Sequence, residues 1–342
     1  MTVECLVSAG SNQGDRMATL QAAMQSLQTH PQITRLVSSD WCETVPAGGP
    51  GGQGAFLNGV VRLQTTLEPL ALLHLLQRIE NQQGRQRLER WGARTLDLDL
   101  LLYGEASLQT LELQVPHPRM AFRRFVLEPA AEVAPHLRHP TTGWSVQQLL
   151  QHLNESPRYA ALAGGSAAQR RAIVLASVTG SDTRPLIAAD AADAAKESQL
   201  SPGQELAAAW RRQVACLESA LGDPPAASLR QSAEVAKEED GGAVCWVSDF
   251  WIEQTWSESQ HFLAEEAAAG PAMAKRAPMP PRSRLRPRLL VVVETNDPAE
   301  TSRFARLNAR LSLPDTGPML RVPGDDPATA VRELSGALIA MQ

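Results

Sequence analysis

The sequence predicts two domains of different fold class: an α+β layer over residues 1–153 and an α/β domain over residues 172–342. Three observations predict this. The 342 residues are too many for a typical single domain. Strand and helix patterns alternate in the first half. Wholly apolar strands of the parallel type, such as 289–293, occur in the second half. Residues 154–171 are polar, small and glycine-containing, which predicts a linker.

Composition and charge exclude several classes of protein. Hydrophobic residues make up 43% and charged residues 20% of the chain, which is typical of folded globular proteins. A formal net charge of −5 gives no general attraction to nucleic acid or to an anionic membrane, so we expect neither as a partner. Residues 1–10 lack the pattern of a signal peptide, and no apolar run approaches the ~20 residues of a transmembrane helix.

The four cysteines occur singly, without the CxxC spacing of a metal or redox motif: Cys5, Cys42, Cys216 and Cys245. This spacing argues against a disulfide framework and against a zinc ribbon. We therefore expect a reduced, cytoplasmic protein.

The first half favours a ferredoxin-like α+β layer. In chain order the residues predict a strand at 3–9, a helix after a break at 12–15, strands at 33–41 and 56–63, a helix from 69 to about 84 and a strand at 95–103. A glycine- and proline-rich segment at 44–52, rather than a helix, joins the two middle strands. The order β-α-β-β-α-β is that of a split βαβ motif and differs from a doubly wound sheet.

A dense group of charged residues surrounds the start of the last of these strands. Side chains two apart on a strand point to the same face, so Asp97 and Asp99 project together while Leu98 projects into the core. Two such carboxylates can hold a pair of Mg²⁺ ions that complete their coordination with substrate phosphate. Four arginines precede the pair, and guanidinium groups bind phosphate bidentately: Arg85, Arg87, Arg90 and Arg94. Either group alone would be read as a solvated surface, but together they favour a phosphate site.

Three further residues near this group are candidates for nucleotide contacts. Gln77 and Glu80 lie three apart and share a helix face. His117 lies between two prolines, in a rigid segment that could aim its imidazole at a phosphate. Each of the three, taken singly, is more often an ordinary structural or exposed residue.

Six short motifs follow one another in residues 1–153: AGSN at 9–12, ETVP at 43–46, FLN at 56–58, Glu80 with GR at 84–85, RWGARTLDLD at 90–99 and PHPRM at 116–120. In this order and spacing they resemble the 6-hydroxymethyl-7,8-dihydropterin pyrophosphokinases, which transfer diphosphate from ATP to a pterin alcohol in folate biosynthesis. The resemblance covers a little under half of the chain.

The resemblance implies a role for each matching residue. Asp97 and Asp99 would bind two Mg²⁺ ions, and Arg85 and Arg94 would assist diphosphate transfer. The residues that would contact the co-substrate ATP are Gln77, Glu80, Arg87, Leu100, His117 and Arg123. The residues that would bind the pterin are Thr44, Ala47, Gly48, Phe56, Asn58, Trp91 and Phe125, with the ring stacked between the two phenylalanines.

This division of roles agrees with the chemistry. A flat, hydrogen-bonding ring needs an aromatic sandwich and an amide that can both donate and accept. Attack of the pterin hydroxyl on the β-phosphorus, with AMP leaving, depends mainly on positioning and charge neutralisation. The motifs contain no obvious strong base, and this chemistry does not demand one.

The second half is less informative. Residues 172–178 have the pattern of a buried strand, residues 188–220 are mostly helical in character, and strands are predicted at 243–247 and 289–293. Residues 264–288 predict a loop or a partly disordered insertion. The alternation resembles, remotely, a P-loop deoxynucleoside kinase, but no Gly-Lys pair occurs anywhere in the chain, so a Walker A motif is absent. We therefore expect a degenerate, non-catalytic domain that serves packing, regulation or a homodimer.

Three alternatives remain open from the sequence. A metal-dependent nucleotidyl cyclase or polymerase-like palm would also use paired strand aspartates, although it would not explain Phe56 and Asn58. The second domain could instead be an active or regulatory nucleotide-binding module. The whole chain could also be a non-enzymatic scaffold that retains an old site.

Overall fold

The computed structural model describes two units. The described residues are 2–47, 52–84, 92–177, 183–187, 202–221, 245–251, 254, 255, 258, 261, 264, 285–297, 301–311 and 316–342. Unit 1 comprises Met1–Glu155, Ser312–Leu320 and Ser335–Gln342, and unit 2 comprises Ser156–Leu311 and Arg321–Leu334.

An antiparallel sheet forms the centre of unit 1. Its elements are β1 (Val3–Ser11), α1 (Arg16–Gln28), β2 (Ile33–Ser38), β3 (Cys42–Thr44), β4 (Phe56–Thr65), α2 (Pro69–Gln82) and β5 (Asp97–Tyr103). The strand order is β2-β4-β1-β5, with β3 paired to the start of β4, and every one of these pairs is antiparallel. The predicted α+β class is confirmed for this unit, and β1, α1, β2, β4, α2 and β5 follow the predicted β-α-β-β-α-β order. The short strand β3 between β2 and β4 was not predicted.

The helices α1 and α2 cover one face of this sheet. Asp15 caps α1 by accepting a hydrogen bond from Ala18 N at 3.0 Å. Pro69 stands in the first turn of α2, where its missing N–H costs nothing. Both helices bury leucines at helical spacing against alternate residues of the strands: Leu20, Leu27, Leu72, Leu76, Val7, Leu63, Leu98 and Leu100.

A second core lies on the opposite face of the sheet. After β5 come a short hairpin of β6 (Leu108–Gln109) and β7 (Gln114–Val115), a 3-10 helix (Met120–Phe122), and the helices α3 (Arg124–Val133) and α4 (Val146–Glu155). This second core joins side chains of the sheet to the 3-10 helix, α3 and α4: Leu6, Val60, Leu101, Leu102, Met120, Val126, Ala130 and Val146. The sheet is therefore covered on both faces, and its surface near the start of α3 remains open for a site.

Unit 2 is built on a parallel sheet. The elements of this sheet and its helices are β8 (Tyr159–Gly164), α5 (Ala167–Ser177), β9 (Thr183–Leu186), α6 (Pro202–Leu221), β10 (Cys245–Ser248), β11 (Leu289–Glu294), α7 (Thr301–Leu311), β12 (Met319–Pro323) and α8 (Pro327–Ala340). The boundary between the units divides the last two elements, because residues 319–320 and 335–340 are grouped with unit 1. The strand order is β12-β11-β8-β10-β9, and β8 pairs in parallel with both of its neighbours. The predicted α/β class is confirmed, and strands occur near the predicted positions 243–247 and 289–293.

Two interpretations at the start of this unit were wrong. Residues 154–171 are not a linker, because they contain β8, the central strand of the sheet. Its sequence YAALAG is buried throughout, and small residues suit a strand that is covered on both faces, although their composition resembles that of a loop. Of the predicted strand 172–178, residues 172–177 are instead part of α5, where Ile173, Val174 and Ser177 are buried while Leu175 is 53% exposed; residue 178 lies outside the described residues. A short apolar run cannot distinguish a strand from a helix by composition alone.

The predicted helical segment 188–220 is confirmed from residue 202 onward by α6 (Pro202–Leu221), whereas residues 188–201 lie outside the described part of the chain. Most of the predicted loop 264–288, namely 265–284, also lies outside it. Within the described part of the chain, no helix has the length and apolar character needed to cross a bilayer.

The stability of unit 1 should depend on the protonation of His139, which lies between α3 and α4. Its imidazole is buried, and its Nδ1 accepts a hydrogen bond from Thr142 N at 3.3 Å. Burial lowers the pKa of His139 from 6.5 to about 4. Below pH 6.5 the unfolded chain takes up a proton that the folded chain refuses, so the free energy of unfolding should fall by up to about 1.4 kcal/mol per pH unit until pH 4.

The measurement is the urea unfolding midpoint of unit 1 between pH 7.5 and pH 4. The matched control is His139→Asn, whose amide oxygen can accept the same N–H but does not titrate. We expect the wild type to lose more stability than the variant over this range. Equal losses would show that His139 does not contribute.

Candidate functional site

A cavity of about 260 Å³ opens in unit 1 where β1, β4 and β5 meet the segment after β7. Ten of the predicted site residues line it: Thr44, Ala47, Phe56, Asn58, Arg94, Asp97, Asp99, His117, Arg123 and Phe125. They come from four separate stretches of the chain, so their convergence is a property of the fold. Four other predicted residues lie outside the described residues: Gly48, Arg85, Arg87 and Trp91.

The strand β5 presents the two carboxylates to this cavity. Asp97 and Asp99 line the cavity, whereas Leu98 and Leu100 lie in the core below α1 and α2. This is the predicted alternation. Leu101 is an extra residue in β5, because Val7 pairs with Leu100 and Leu6 pairs with Leu102. Such a β-bulge re-aims the side chains that follow it, and here Leu101 and Leu102 both enter the second core.

The bulge also positions the histidine. The carbonyl of Leu101 accepts a hydrogen bond from His117 N at 2.9 Å. The imidazole Nδ1 accepts from Arg119 N at 3.2 Å, and Nε2 lies 3.9 Å from Asp99 Oδ2. Burial, aided by Arg123 and Arg119, lowers the pKa of His117 to about 3. The ring is therefore neutral near pH 7, with its proton on Nε2, so it can donate into the cavity.

Three arginines approach the carboxylates. Arg94 Nη1 donates to Asp97 Oδ2 at 2.5 Å. Arg123 is held with its guanidinium 5.5 Å from the ring centroid of Phe125, and burial together with Arg119 lowers its pKa to about 10. It still carries a charge at neutral pH. Arg119 lines the same cavity. It was not among the predicted site residues, although it stands two residues after His117 in the PHPRM motif.

The other side of the cavity is aromatic and carries an amide. Phe56 and Asn58 lie on β4, and Phe125 lies in the first turn of α3. Asn58 Nδ2 donates to Thr44 Oγ1 at 2.7 Å, which orients the amide. Gly10 lies opposite Asn58 on β1, and a Cβ at that position would clash with Asn58 Oδ1. Glycine therefore leaves the space that this amide needs.

Three predicted nucleotide-binding side chains do not line the cavity. Glu80 is 2% exposed, and its Oε1 accepts a hydrogen bond from Leu98 N at 2.7 Å. The structure thus places it as a support for β5, between the two aspartates. Leu100 is in the core on the other face of the sheet, and Gln77 is half-buried on α2. The periodicity of α2 predicted a shared face for Gln77 and Glu80 but could not show that this face turns inward.

Within the described residues, no group of three or more His, Cys, Asp or Glu side chains could hold a metal ion. The cavity supplies two carboxylates, Asp97 and Asp99. This set is too small for a metal site made of protein alone. It does suit Mg²⁺, which is commonly bound through one or two carboxylates together with substrate phosphates.

The first turn of unit 2 differs from a phosphate-binding loop. Only Gly165 and Ser166 separate β8 from α5. Arg170 Nη1 donates to the carbonyls of Gly164 at 2.6 Å and Gly165 at 2.9 Å, and its Nε donates to Asp249 O at 2.7 Å. The buried Arg170 side chain thus binds the carboxyl end of β8, which is the position at which a P-loop begins in a P-loop protein.

The backbone N–H groups of this turn are also engaged. Gly164 N donates to Gln254 Oε1 at 3.2 Å. Ser166 N donates to Gln169 Oε1 at 2.8 Å, and Gln169 N donates to Ser166 Oγ at 3.2 Å, which is a capping box. These N–H groups are therefore satisfied by the chain itself.

Comparison with known proteins agrees with the geometry of unit 1. Residues 6–135 match the family 7,8-dihydro-6-hydroxymethylpterin-pyrophosphokinase (HPPK). A 2-amino-4-hydroxy-6-hydroxymethyldihydropteridine pyrophosphokinase of Pseudomonas aeruginosa is 48% identical over 134 residues, which are 39% of this chain and 82% of that protein. The protein of the same name from Bacillus subtilis is 43% identical over 142 residues, which are 42% of this chain and 84% of that protein.

Two further matches concern proteins with additional domains. The bifunctional protein FolKE of Lactococcus lactis subsp. cremoris is 39% identical over 127 residues, which are 37% of this chain and 36% of that protein. The match to a crystal structure of an HPPK-DHPS in complex with substrates covers 94% of this chain and 84% of that chain, at 10% identity and a TM-score of 0.34. This TM-score is too low to support the fold of unit 1 or of unit 2. The identities of 48% and 43% over most of two curated relatives are decisive, and the chain belongs to the 7,8-dihydro-6-hydroxymethylpterin-pyrophosphokinase family.

Proposed function

We propose that this chain transfers the diphosphate of ATP to 6-hydroxymethyl-7,8-dihydropterin, giving AMP and the pterin diphosphate for folate biosynthesis. The membership of residues 6–135 in the family supports this activity. The single observation in the structure that carries it is the cavity that places Asp97 and Asp99 beside Phe56, Asn58 and Phe125. A palm-like cyclase would need the two carboxylates but not the aromatic and amide side.

The aromatic side of the cavity is the proposed pterin site. Phe56 and Phe125 offer two ring faces, and stacking on both sides would hold a flat heterocycle. The Asn58 amide can donate to and accept from the polar edge of the ring. Thr44 orients that amide, and the backbone near Ala47 closes the same side. Gly48 and Trp91 remain predicted contacts.

The acidic side is the proposed site for the ATP phosphates. Asp97 and Asp99 would hold two Mg²⁺ ions, and both carboxylates face the cavity from one side of β5. Bound magnesium would neutralise phosphate charge and favour attack by the pterin hydroxyl. Because Arg94 already pairs with Asp97, its guanidinium is close enough to the carboxylates to turn to phosphate oxygens instead.

The remaining polar groups would stabilise charge on the diphosphate in transfer. Arg119 and Arg123 are charged donors, and neutral His117 offers an N–H from Nε2 without adding charge. No side chain is required as a strong base, since positioning and charge neutralisation dominate this chemistry. Contacts of ATP with Gln77, Glu80, Arg87 and Leu100, and assistance by Arg85, remain predictions; Glu80 and Leu100 could act only through the backbone of β5.

For unit 2 we propose a degenerate nucleotide-kinase-like domain without catalysis. The strand order of its sheet is compatible with a P-loop kinase, in which the first strand is central. Arg170 and the capping box engage the turn where a nucleotide phosphate would be cradled. An active or regulatory nucleotide-binding module is the alternative, and a homodimer through this unit remains a prediction. A cytoplasmic location is supported by the four free cysteines.

The first prediction concerns the carboxylates. Asp97→Asn and Asp99→Asn should each lower kcat at least about 100-fold, because one ligand for magnesium is lost while the shape of the side chain is kept. The measurement is AMP release that depends on added pterin alcohol. Asp40→Asn, a change at an exposed position of the same unit, is the control and should retain full activity. Wild-type rates in both cavity variants would reject the proposed function.

The second prediction concerns the space above Gly10. Gly10→Ala places a methyl group against Asn58 Oδ1 and within 3.6 Å of Phe56 Cδ1. The KM for pterin should rise about 10-fold or more, while the Kd for Mg-ATP stays within threefold, because the clash is confined to the pterin side.

Gly104→Ala is the matched control for this change. Gly104 has φ +52° and lies beyond the far end of β5, so the substitution strains the backbone without approaching the cavity. It should lower stability and leave the KM for pterin unchanged. A normal KM in the Gly10 variant would contradict the pterin assignment.

The third prediction concerns nucleotide binding by unit 2. In a chain carrying Asp97→Ala and Asp99→Ala, calorimetric titration with Mg-ATP should detect no site with a Kd below about 1 mM. The wild type should bind with a stoichiometry near one. Tight binding to the double variant would favour the alternative of a nucleotide-binding module in unit 2.

A further inference from the structure

Asn12 lies just beyond the end of β1, between the two strands that carry the two sides of the cavity. On one side is β4, which begins at Phe56 and carries Asn58. On the other side is β5, which begins at Asp97 and carries Asp99. The side chain of Asn12 is buried, with the residue 8% exposed. It therefore occupies the point at which the pterin side and the phosphate side diverge.

The amide of Asn12 contacts the approach to both strands. Its Oδ1 accepts a hydrogen bond from Arg94 N at 2.7 Å, and its backbone N donates to Arg94 O at 3.1 Å. Its Nδ2 donates to Gly54 O at 3.3 Å and to Gln53 Oε1 at 3.2 Å. Gly54 is two residues before the first residue of β4, and Arg94 is three residues before the first residue of β5.

These contacts extend the sheet beyond its regular ladders. The last paired residues of β1 are Ser11 with Leu57 on one side and Gly10 with Asp97 on the other. Past these pairs the chain segments before β4 and β5 separate, and the Asn12 side chain spans the gap. One amide can do this because it offers an acceptor and a donor at opposite corners of a short side chain.

A second side chain holds only the β4 approach. Arg16, at the start of α1, donates from Nη1 to Ala55 O at 2.8 Å and pairs with Glu43 at 3.3 Å. Arg16 thus fastens the β4 approach to α1, whereas the Asn12 contacts reach both sides. Of these two side chains, only that of Asn12 contacts both approaches, so it can determine the distance between the pterin side and the phosphate side of the cavity.

We propose that Asn12 is a positioning residue that fixes the separation between the pterin side of the cavity and the carboxylates that serve the phosphates. In-line attack needs the reacting atoms about 3 to 3.5 Å apart, and a misplacement of about 1 Å can cost about 100-fold in rate. Asn12 touches neither substrate in this role. Its contact with Gly54 positions β4, which carries Phe56, and its contact with Arg94 positions β5, which carries Asp97. The inference rests on the proposed function.

The test compares Asn12→Ala, which removes both side-chain links and keeps the backbone hydrogen bond to Arg94 O, with Asn12→Asp, which keeps the acceptor for Arg94 N but loses the donor for Gly54 O. For each variant of the full chain, we would measure kcat, the Kd for Mg-ATP, and the Kd for pterin with a non-hydrolysable ATP analogue present. Arg62→Ala is the control, because the Arg62 side chain also joins β4 to β1, through an ion pair with Glu4 at 3.4 Å, and does not line the cavity.

We expect kcat to fall about 10- to 100-fold in both Asn12 variants, with each Kd within threefold of the wild type, since each side stays intact and only the spacing changes. The control should keep its kcat. Thermal unfolding of each variant gives the folded fraction at the assay temperature, to which kcat is normalised.

Three outcomes would overturn the inference: a kcat of Asn12→Ala within threefold of the wild type, a wild-type kcat in Asn12→Asp, or a loss of affinity that matches the loss of rate. The second would show that the link to Arg94 suffices and that bridging is not needed. The third would show a general structural role. An inactive wild type would refute the proposed function itself, whereas an active wild type with an unaffected Asn12→Ala would refute this inference alone.

Discussion

The site in unit 1 depends on one constraint, the two-residue period of β5. Because of this period, Leu98 and Leu100 lie in the hydrophobic core on one face of the sheet, and Asp97 and Asp99 line the cavity on the other face. A one-residue shift in register would bury both carboxylates and expose both leucines. Each change would lower the stability of the fold, because buried charge loses its hydration and exposed leucine loses its apolar contacts. The register is secured on one side by the ladder to β1 and on the other by Glu80, which accepts the N–H of Leu98.

The cavity combines a small net positive charge with a hydrogen-bond donor that does not add to that charge. Arg94, Arg119 and Arg123 approach two carboxylates, so the local balance before substrate binds is about +1. A protonated imidazole would raise this charge further, but burial beside two arginines keeps His117 neutral. The arginine and histidine side chains are all hydrogen-bond donors, and together they can bind the negatively charged oxygens of a triphosphate.

The parts of the fold and site that the sequence predicted are those with local signals. Alternation along β5 identified the orientation of Asp97 and Asp99, and helical spacing identified α1 and α2. Contacts between distant segments had no such signal. Asn12 was part of a recognised motif, but its hydrogen bonds reach Gly54 and Arg94, which lie 42 and 82 positions further along the chain. Its neighbours in the sequence therefore could not predict its position between two strands.

Composition gave wrong predictions for β8 and α5, where tertiary packing determines the secondary structure. The segment YAALAG has smaller side chains than a typical core strand, yet all six of its residues are buried, so β8 is covered on both faces. In the same way, the apolar run of α5 fits a strand until the exposure of Leu175 reveals its helical face. Both errors concern the same question, namely how many faces of a segment are covered, and only the tertiary structure answers it.

The two units also show how the turn after a central strand decides what that strand end can bind. In unit 1, Asn12 after β1 reaches outward to the approaches of two neighbouring strands, so the groups at the strand ends stay directed into an open cavity. In unit 2, Arg170 after β8 reaches back to the carbonyls of Gly164 and Gly165. A guanidinium held by carbonyls has its donors committed, and displacing it to admit a phosphate would leave those buried carbonyls without a partner. The Asn12 contacts therefore join the approaches to two neighbouring strands beside the cavity, whereas the Arg170 contacts stabilise the strand end that they follow.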